Sequence, residues 1–170
     1  MNRLIIGLIS LVALLSAAGC DVIGYGKIWD IAPVEVKMEV LDAEGNNLFD
    51  EGFQNNWLSK EITASFEGET YSFPPAPGTR AYMAIMSGLT VQIYGAWENN
   101  PRPVLVFGEL SGETERDSDL SILWPDGSED VIGIKHTFHW DILGNPQSKT
   151  TLTLNGETVS NPVRLVKSSR

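Results

Sequence analysis

His136 and His139 are the two histidines of the chain, and their i, i+3 spacing would bring two imidazoles toward one metal ion if the segment were a helix. The neighbouring residues argue for a strand instead. Ile132, Ile134, His136, Phe138, Trp140 and Ile142 recur at every second position, which puts them on one face and His139 on the other. Side chains on opposite faces cannot share a zinc ion, so His136 reads as a packed or edge histidine and no metal is expected. Two acidic loops carry the hard oxygens that calcium takes: Asp42, Glu44, Asn46 and Asn47 in one, Glu113, Glu115, Asp117 and Asp119 in the other. Neither follows the twelve-residue spacing that ends in a bidentate glutamate, so solvated turns are the default reading of both. Acid/base chemistry needs two carboxylates facing each other at about 5–9 Å. The 22 Asp and Glu residues single out no such pair, and no Gly-x-Ser-x-Gly elbow occurs. The expectation is a non-enzyme with no catalytic residue and no cofactor.

Five tryptophans are many for 170 residues. Trp124 and Trp140 stand in register with apolar neighbours and are expected in the core. Trp57, in Phe-Gln-Asn-Asn-Trp, and Trp97, in Ala-Trp-Glu-Asn-Asn-Pro, sit in asparagine-rich, loop-like surroundings. There an indole face beside amide donors and acceptors could stack on a sugar ring and bond its hydroxyls, and loops on a rigid scaffold are where binding residues concentrate. The plainer alternative, a loop anchor partly buried, carries more weight for each; Trp57 and Trp97 exposed together form the binding hypothesis.

The single cysteine, Cys20, ends a stretch that begins with Arg3, runs through about 15 uncharged, mostly apolar residues and closes on Ala17-Ala18-Gly19. That run is too short for a bilayer span, which takes about 20 residues, and fits a cleaved secretory signal over residues 1–19. Small residues directly before the cysteine match the bacterial lipobox, with Ala17 where leucine is favoured, and make Cys20 the expected lipidation site. The competing reading is an ordinary signal followed by a stray thiol. One acyl chain gives marginal membrane binding and two or more give stable anchoring, so a fully acylated Cys20 would keep the chain on a membrane. Residues 20–32 then form the lipidated cysteine and tether, and residues 33–170 one domain. Removing residues 1–19 takes Arg3, leaving 11 of the 12 Lys and Arg against 22 Asp and Glu, a formal charge of −11. Such a field repels phosphate backbones, which excludes nucleic acid as a partner.

The elements that would hold these residues are strands. Val34, Val36, Met38 and Val40 alternate with Glu35, Lys37 and Glu39, a half-buried strand. Glu-Ile-Thr-Ala-Ser-Phe and Thr-Tyr-Ser-Phe flank Glu67-Gly68-Glu69 as a hairpin. Pro-Pro-Ala-Pro-Gly at 74–78 marks a crossing between sheets or an edge. Val104–Phe107 has no polar face and belongs in the middle of a sheet. Pro125-Asp126-Gly127 supplies a turn, and Asn155-Gly156 is the pair that a two-residue type I′ turn favours. Nine or ten short strands with turn residues between them predict an all-β, antiparallel β-sandwich of immunoglobulin-like or similar Greek-key architecture.

The ordered set Val-Glu-Val-Lys-Met-Glu-Val-Leu-Asp, Glu-Ile-Thr-Ala-Ser-Phe-Glu-Gly-Glu-Thr-Tyr-Ser-Phe, Thr-Arg-Ala-Tyr-Met, Val-Leu-Val-Phe-Gly-Glu-Leu, Ile-Leu-Trp-Pro-Asp-Gly-Ser-Glu-Asp-Val-Ile and Thr-Leu-Thr-Leu-Asn-Gly-Glu-Thr-Val resembles a group of small, mostly uncharacterised cell-envelope lipoproteins of Bacteroidota. Similar sequences often read Trp-Gly-Asp-Gly at the hairpin where this chain has Pro125. The resemblance implies a lipid-anchored β-sandwich of the bacterial envelope. The expected location faces the periplasm or the exterior, with the outer membrane preferred to the inner, for which Asp21 after the cysteine would speak under one sorting rule. The resemblance carries over no catalytic residues. The function expected is binding or accessory, toward a glycan or an envelope protein. The alternative is a structural subunit of pilin-like type that assembles by exchanging a terminal strand, residues 162–167.

Overall fold

The computed structural model describes residues 28–74, 88–96 and 99–168. The signal segment, Cys20, Trp97 and most of the Pro-rich crossing lie outside the described residues. Ten strands are formed among the described residues: β1 Val34–Leu41, β2 Ile62–Phe66, β3 Glu69–Phe73, β4 Gly88–Tyr94, β5 Arg102–Leu110, β6 Arg116–Leu123, β7 Glu129–Trp140, β8 Pro146–Leu154, β9 Glu157–Val159 and β10 Val163–Val166. They make a four-stranded sheet, β10-β1-β5-β4, and a six-stranded sheet, β3-β2-β6-β7-β8-β9. All pairings are antiparallel except β1 with β10. The chain is an all-β sandwich, as the period-two pattern predicts.

Side-chain alternation sets what lies between the sheets. Val36, Met38 and Val40 of β1, Leu105 and Phe107 of β5, Ile62, Ala64 and Phe66 of β2, and Leu120, Ile122, Ile132 and Ile134 of β6 and β7 form the buried core. Phe107 ties the sheets together: its ring meets Phe66 at 5.2 Å and Tyr71 at 5.2 Å, both edge-on, the geometry that aromatic quadrupoles favour. Val104, Leu105, Val106 and Phe107 are all buried, on a strand flanked by β1 and β4, so the residues without a polar face occupy the middle of a sheet.

The turns follow their sequences. Glu67-Gly68 and Asn155-Gly156 both have positive φ at both residues (49° and 85°, 49° and 93°) and close two-residue loops between paired strands, the type I′ pattern. A second turn type occurs three times, at Asp42–Asn46, Trp124–Ser128 and Asp141–Asn145. In each, the amide of the fourth residue donates to the carbonyl of the first at 2.9–3.1 Å and the first amide donates to the fifth carbonyl at 2.9 Å. Glycine holds the fourth place with φ between 74° and 90°, a three-residue loop with a glycine bulge. In the first and third copies the opening aspartate also accepts the amide of the residue two further on, which locks the turn.

Two readings of tryptophan are corrected, Trp140 in the core and Trp57 exposed for binding; Trp57 follows the weightier loop-anchor reading and is buried more fully than that reading required. Trp140 is half exposed at 50% rather than in the core. Its face was read correctly, but β7 runs four residues past His136, the last residue paired with β6. Trp57 is 1% exposed and belongs to the core cluster. The segment 42–61 folds over one end of the sandwich, burying Leu48, Phe49 and Trp57, and the Trp57 amide donates to Leu48 O at 2.6 Å.

Candidate binding surface

The residues singled out by the sequence do not form one surface. The Trp57 ring packs on Trp124 with centroids 6.1 Å apart, so it offers no free face to a sugar. Two of the asparagines near it, Asn56 and Asn47, are occupied by backbone groups. Asn56 Nδ2 donates to Phe53 O at 2.8 Å while Asn56 Oδ1 accepts from Leu58 N, and Asn47 Nδ2 donates to Pro103 O at 2.8 Å. An asparagine-rich tryptophan loop is here a folded plug whose amides satisfy backbone groups that burial strips of water.

The histidines and acidic loops are likewise accounted for. His136 is buried, with Nε2 2.9 Å from Gly112 O and Nδ1 2.8 Å from Thr150 Oγ1. A carbonyl only accepts, so Nε2 carries a proton there. His139 is exposed on the opposite face. Asp42 turns its carboxylate into its own loop, accepting Glu44 N, Asn46 N and Asn46 Nδ2. The Asn46 side-chain amide, followed by the Asn46, Glu44 and Gly45 amides against a smaller burial cost, holds its carboxyl below the usual range. Asp117 and Asp119 stand on β6, with Asp117 3.4 Å from Lys135. Among the described residues no three His, Cys, Asp or Glu side chains are placed to hold one ion.

What the strand order does assemble is the outer face of the four-stranded sheet. Register places Lys37 beside Val106, Val106 beside Thr90, Gln92 beside Val104 and Tyr94 beside Arg102. Glu35, Lys37 and Glu39 stand on this face because Val34, Val36, Met38 and Val40 take the inner one. Two ion pairs cross it, Lys37–Glu35 and Arg102–Glu39, each at 2.9 Å. Two cations approach the Tyr94 ring, with Lys37 Nζ 5.8 Å and Arg102 Cζ 5.1 Å from its centroid, distances at which the ring quadrupole attracts them. A depression of about 280 Å³ opens there, lined by Lys37, Gln92, Tyr94, Gly95, Ala96 and Val104 among others.

Gly95 and Ala96, which follow β4, form one rim. Asn100 N donates to Gly95 O at 3.1 Å, and a Cβ on Gly95 would stand 2.5 Å from Asn100 O, so only glycine lets this loop close so tightly. No protein-family model, curated protein or solved structure matches the chain. The chemistry of the depression is its own guide: an ammonium, a carboxamide and a phenol around the apolar floor of Val104. The polar face of each strand was visible in the sequence. Their convergence was not, because it depends on β5 lying between β1 and β4.

Proposed function

We propose that the chain is a lipid-anchored, non-enzymatic accessory protein of a bacterial cell envelope that binds a glycan on the outer face of its four-stranded sheet. The observation that carries the binding site is the Tyr94 depression. It joins an aromatic ring, the Gln92 carboxamide and the Lys37 ammonium over an apolar floor, the combination that stacks on a sugar ring and bonds its hydroxyls. Trp57 takes no part, being buried, and Trp97 lies outside the described residues. The anchor rests on Cys20 and the apolar segment before it, and the outer membrane is the location that fits the Bacteroidota resemblance.

The assembly-subunit reading requires β10 to leave its groove. Asn161 straddles β1, accepting Lys37 N at 2.9 Å and donating to Glu35 O at 2.8 Å, while Lys167 ion-pairs with Asp130 at the other end of β10. Both clamps favour a strand that stays in place. A glycan array probed with the full chain in detergent, followed by calorimetry on any hit, tests the binding reading. Tyr94→Ala is expected to weaken a hit by about tenfold, or 1.4 kcal/mol. An affinity unmoved by both Tyr94→Ala and Gln92→Ala would refute this site.

A further inference from the structure

The β7–β8 hairpin ends in an apolar tip left open by the described residues. Trp140 is 50% exposed, Ile142 95% and Leu143 47%. The tip is firmly built. The Phe138 and Trp140 rings meet edge-on at 5.4 Å, and Asp141 accepts Leu143 N and Asn145 N at 2.8 Å each. Its only charged side chain thus points back into its own turn, leaving isoleucine and leucine at the apex.

The position of the tip says what it meets. Ile31 and Ala32, where the described chain enters the domain, lie against Gly112: a Cβ built there would stand 2.2 Å from Ala32 O and 3.0 Å from Ile31 Cγ2. The same Gly112 carbonyl is held by His136 of β7. From His136, β7 continues four residues to Trp140, about 13 Å at strand rise. The tip therefore projects beyond the end of the sandwich at which the N-terminal segment arrives. The twelve residues 21–32 that follow Cys20 reach at most about 40 Å, so an anchored Cys20 holds this end within that distance of its bilayer.

We infer that Trp140, Ile142 and Leu143 form a second membrane contact, seated shallowly in the interfacial layer beside the lipid anchor. The inference rests on the Cys20 anchor proposed above. Tryptophan favours this layer, where its ring is half wetted. The acidic body of the chain repels anionic headgroups, so the contact is confined to the apolar apex of the tip, and the orientation it imposes turns the opposite end of the sandwich away from the membrane.

The test uses the full acylated chain, purified in detergent and reconstituted into vesicles of phosphatidylethanolamine and phosphatidylglycerol whose acyl chains are brominated near the carbonyl. The chain is expected to float with the vesicles and to show quenched tryptophan fluorescence. Trp140→Phe should lose the larger part of that quenching. The paired change Ile142→Asp with Leu143→Asp should also lose it while keeping flotation and the β circular dichroism. Flotation with quenching that is absent, or unchanged in Trp140→Phe, overturns the tip contact and leaves the anchor standing. Failure to float overturns both.

Discussion

Lys167 and Asp130 form a buried ion pair that joins the two sheets: their side chains are 8% and 10% exposed. Lys167 follows β10 in the four-stranded sheet, and Asp130 is the second residue of β7 in the six-stranded one. Asp130 also accepts Trp124 Nε1 at 2.9 Å and Asn155 Nδ2 at 3.0 Å, while Lys167 Nζ donates to Ser128 Oγ at 3.0 Å and lies 5.3 Å from the Trp124 ring. Every polar group in this knot has a partner, the condition under which burial of charge is tolerated.

Removing one member should expose the cost. Asp130→Ala strands a buried ammonium and two donors, so it is expected to destabilise the fold by about 3–5 kcal/mol. Lys167→Met leaves Asp130 with Trp124 and Asn155 as donors and should cost less. Urea unfolding of both variants checks the order; equal midpoints for wild type and Asp130→Ala would contradict the role given to the pair.

The same carboxylate sets an acid limit. Burial pushes the Asp130 carboxyl up, but hydrogen bonds from Lys167, Asn155 and Trp124 and the lysine charge outweigh it and hold it below the ordinary range. Burial likewise opposes, without overcoming, the lowering of Asp126 by Ser128, Ser168 and Lys167. Asp141 is lowered by the Asn145 backbone and side-chain amides and by Leu143 N. Unfolded aspartates titrate near about 3.9. At low pH the unfolded chain therefore binds more protons, and this stability is present above that value and lost as pH falls through the folded values. The urea midpoint should be level from pH 7 to about 5 and drop below about 4, with a shallower drop in Asp130→Asn.

Trp57 shows where sequence reading stops. Its asparagine neighbours suggested a wet loop, yet asparagine satisfies buried turn backbone as readily as it binds ligand, and local composition does not tell these apart. Trp140 shows the converse: alternation gave its face, but whether that face is covered depends on how far the opposite sheet extends. The β-branched alternation, Asn155-Gly156 and Pro125-Asp126-Gly127 were legible because each acts through its own neighbours. The Tyr94 depression and the Asp130 knot depend on strand order and were not.

Burial of Trp57 makes its own forecast. Trp57→Ala should cost about 3–5 kcal/mol by removing a large core side chain, with Trp57→Phe milder because a ring still faces Trp124. Neither should alter affinity for a ligand of the Tyr94 depression at temperatures where the fold persists. Calorimetry beside thermal unfolding separates the two effects, and a lost affinity in fully folded Trp57→Phe would return this residue to the binding surface.

Gly112 tests how the N-terminal segment is held. With Ala32 O lying where a Cβ would go, Gly112→Ala must push Ile31 and Ala32 off the 111–115 loop. Core strands lie elsewhere, and His136 can keep its bond to the Gly112 carbonyl, so the urea midpoint should move little. Amide exchange at residues 31–33 and proteolysis just before β1 should instead rise by about tenfold, the factor that corresponds to 1.4 kcal/mol of local opening. Unchanged exchange at these residues would mean that the close approach at Gly112 does not fix the segment. The geometry that brings the Cys20 end of the chain beside the β7–β8 tip would then lose its support.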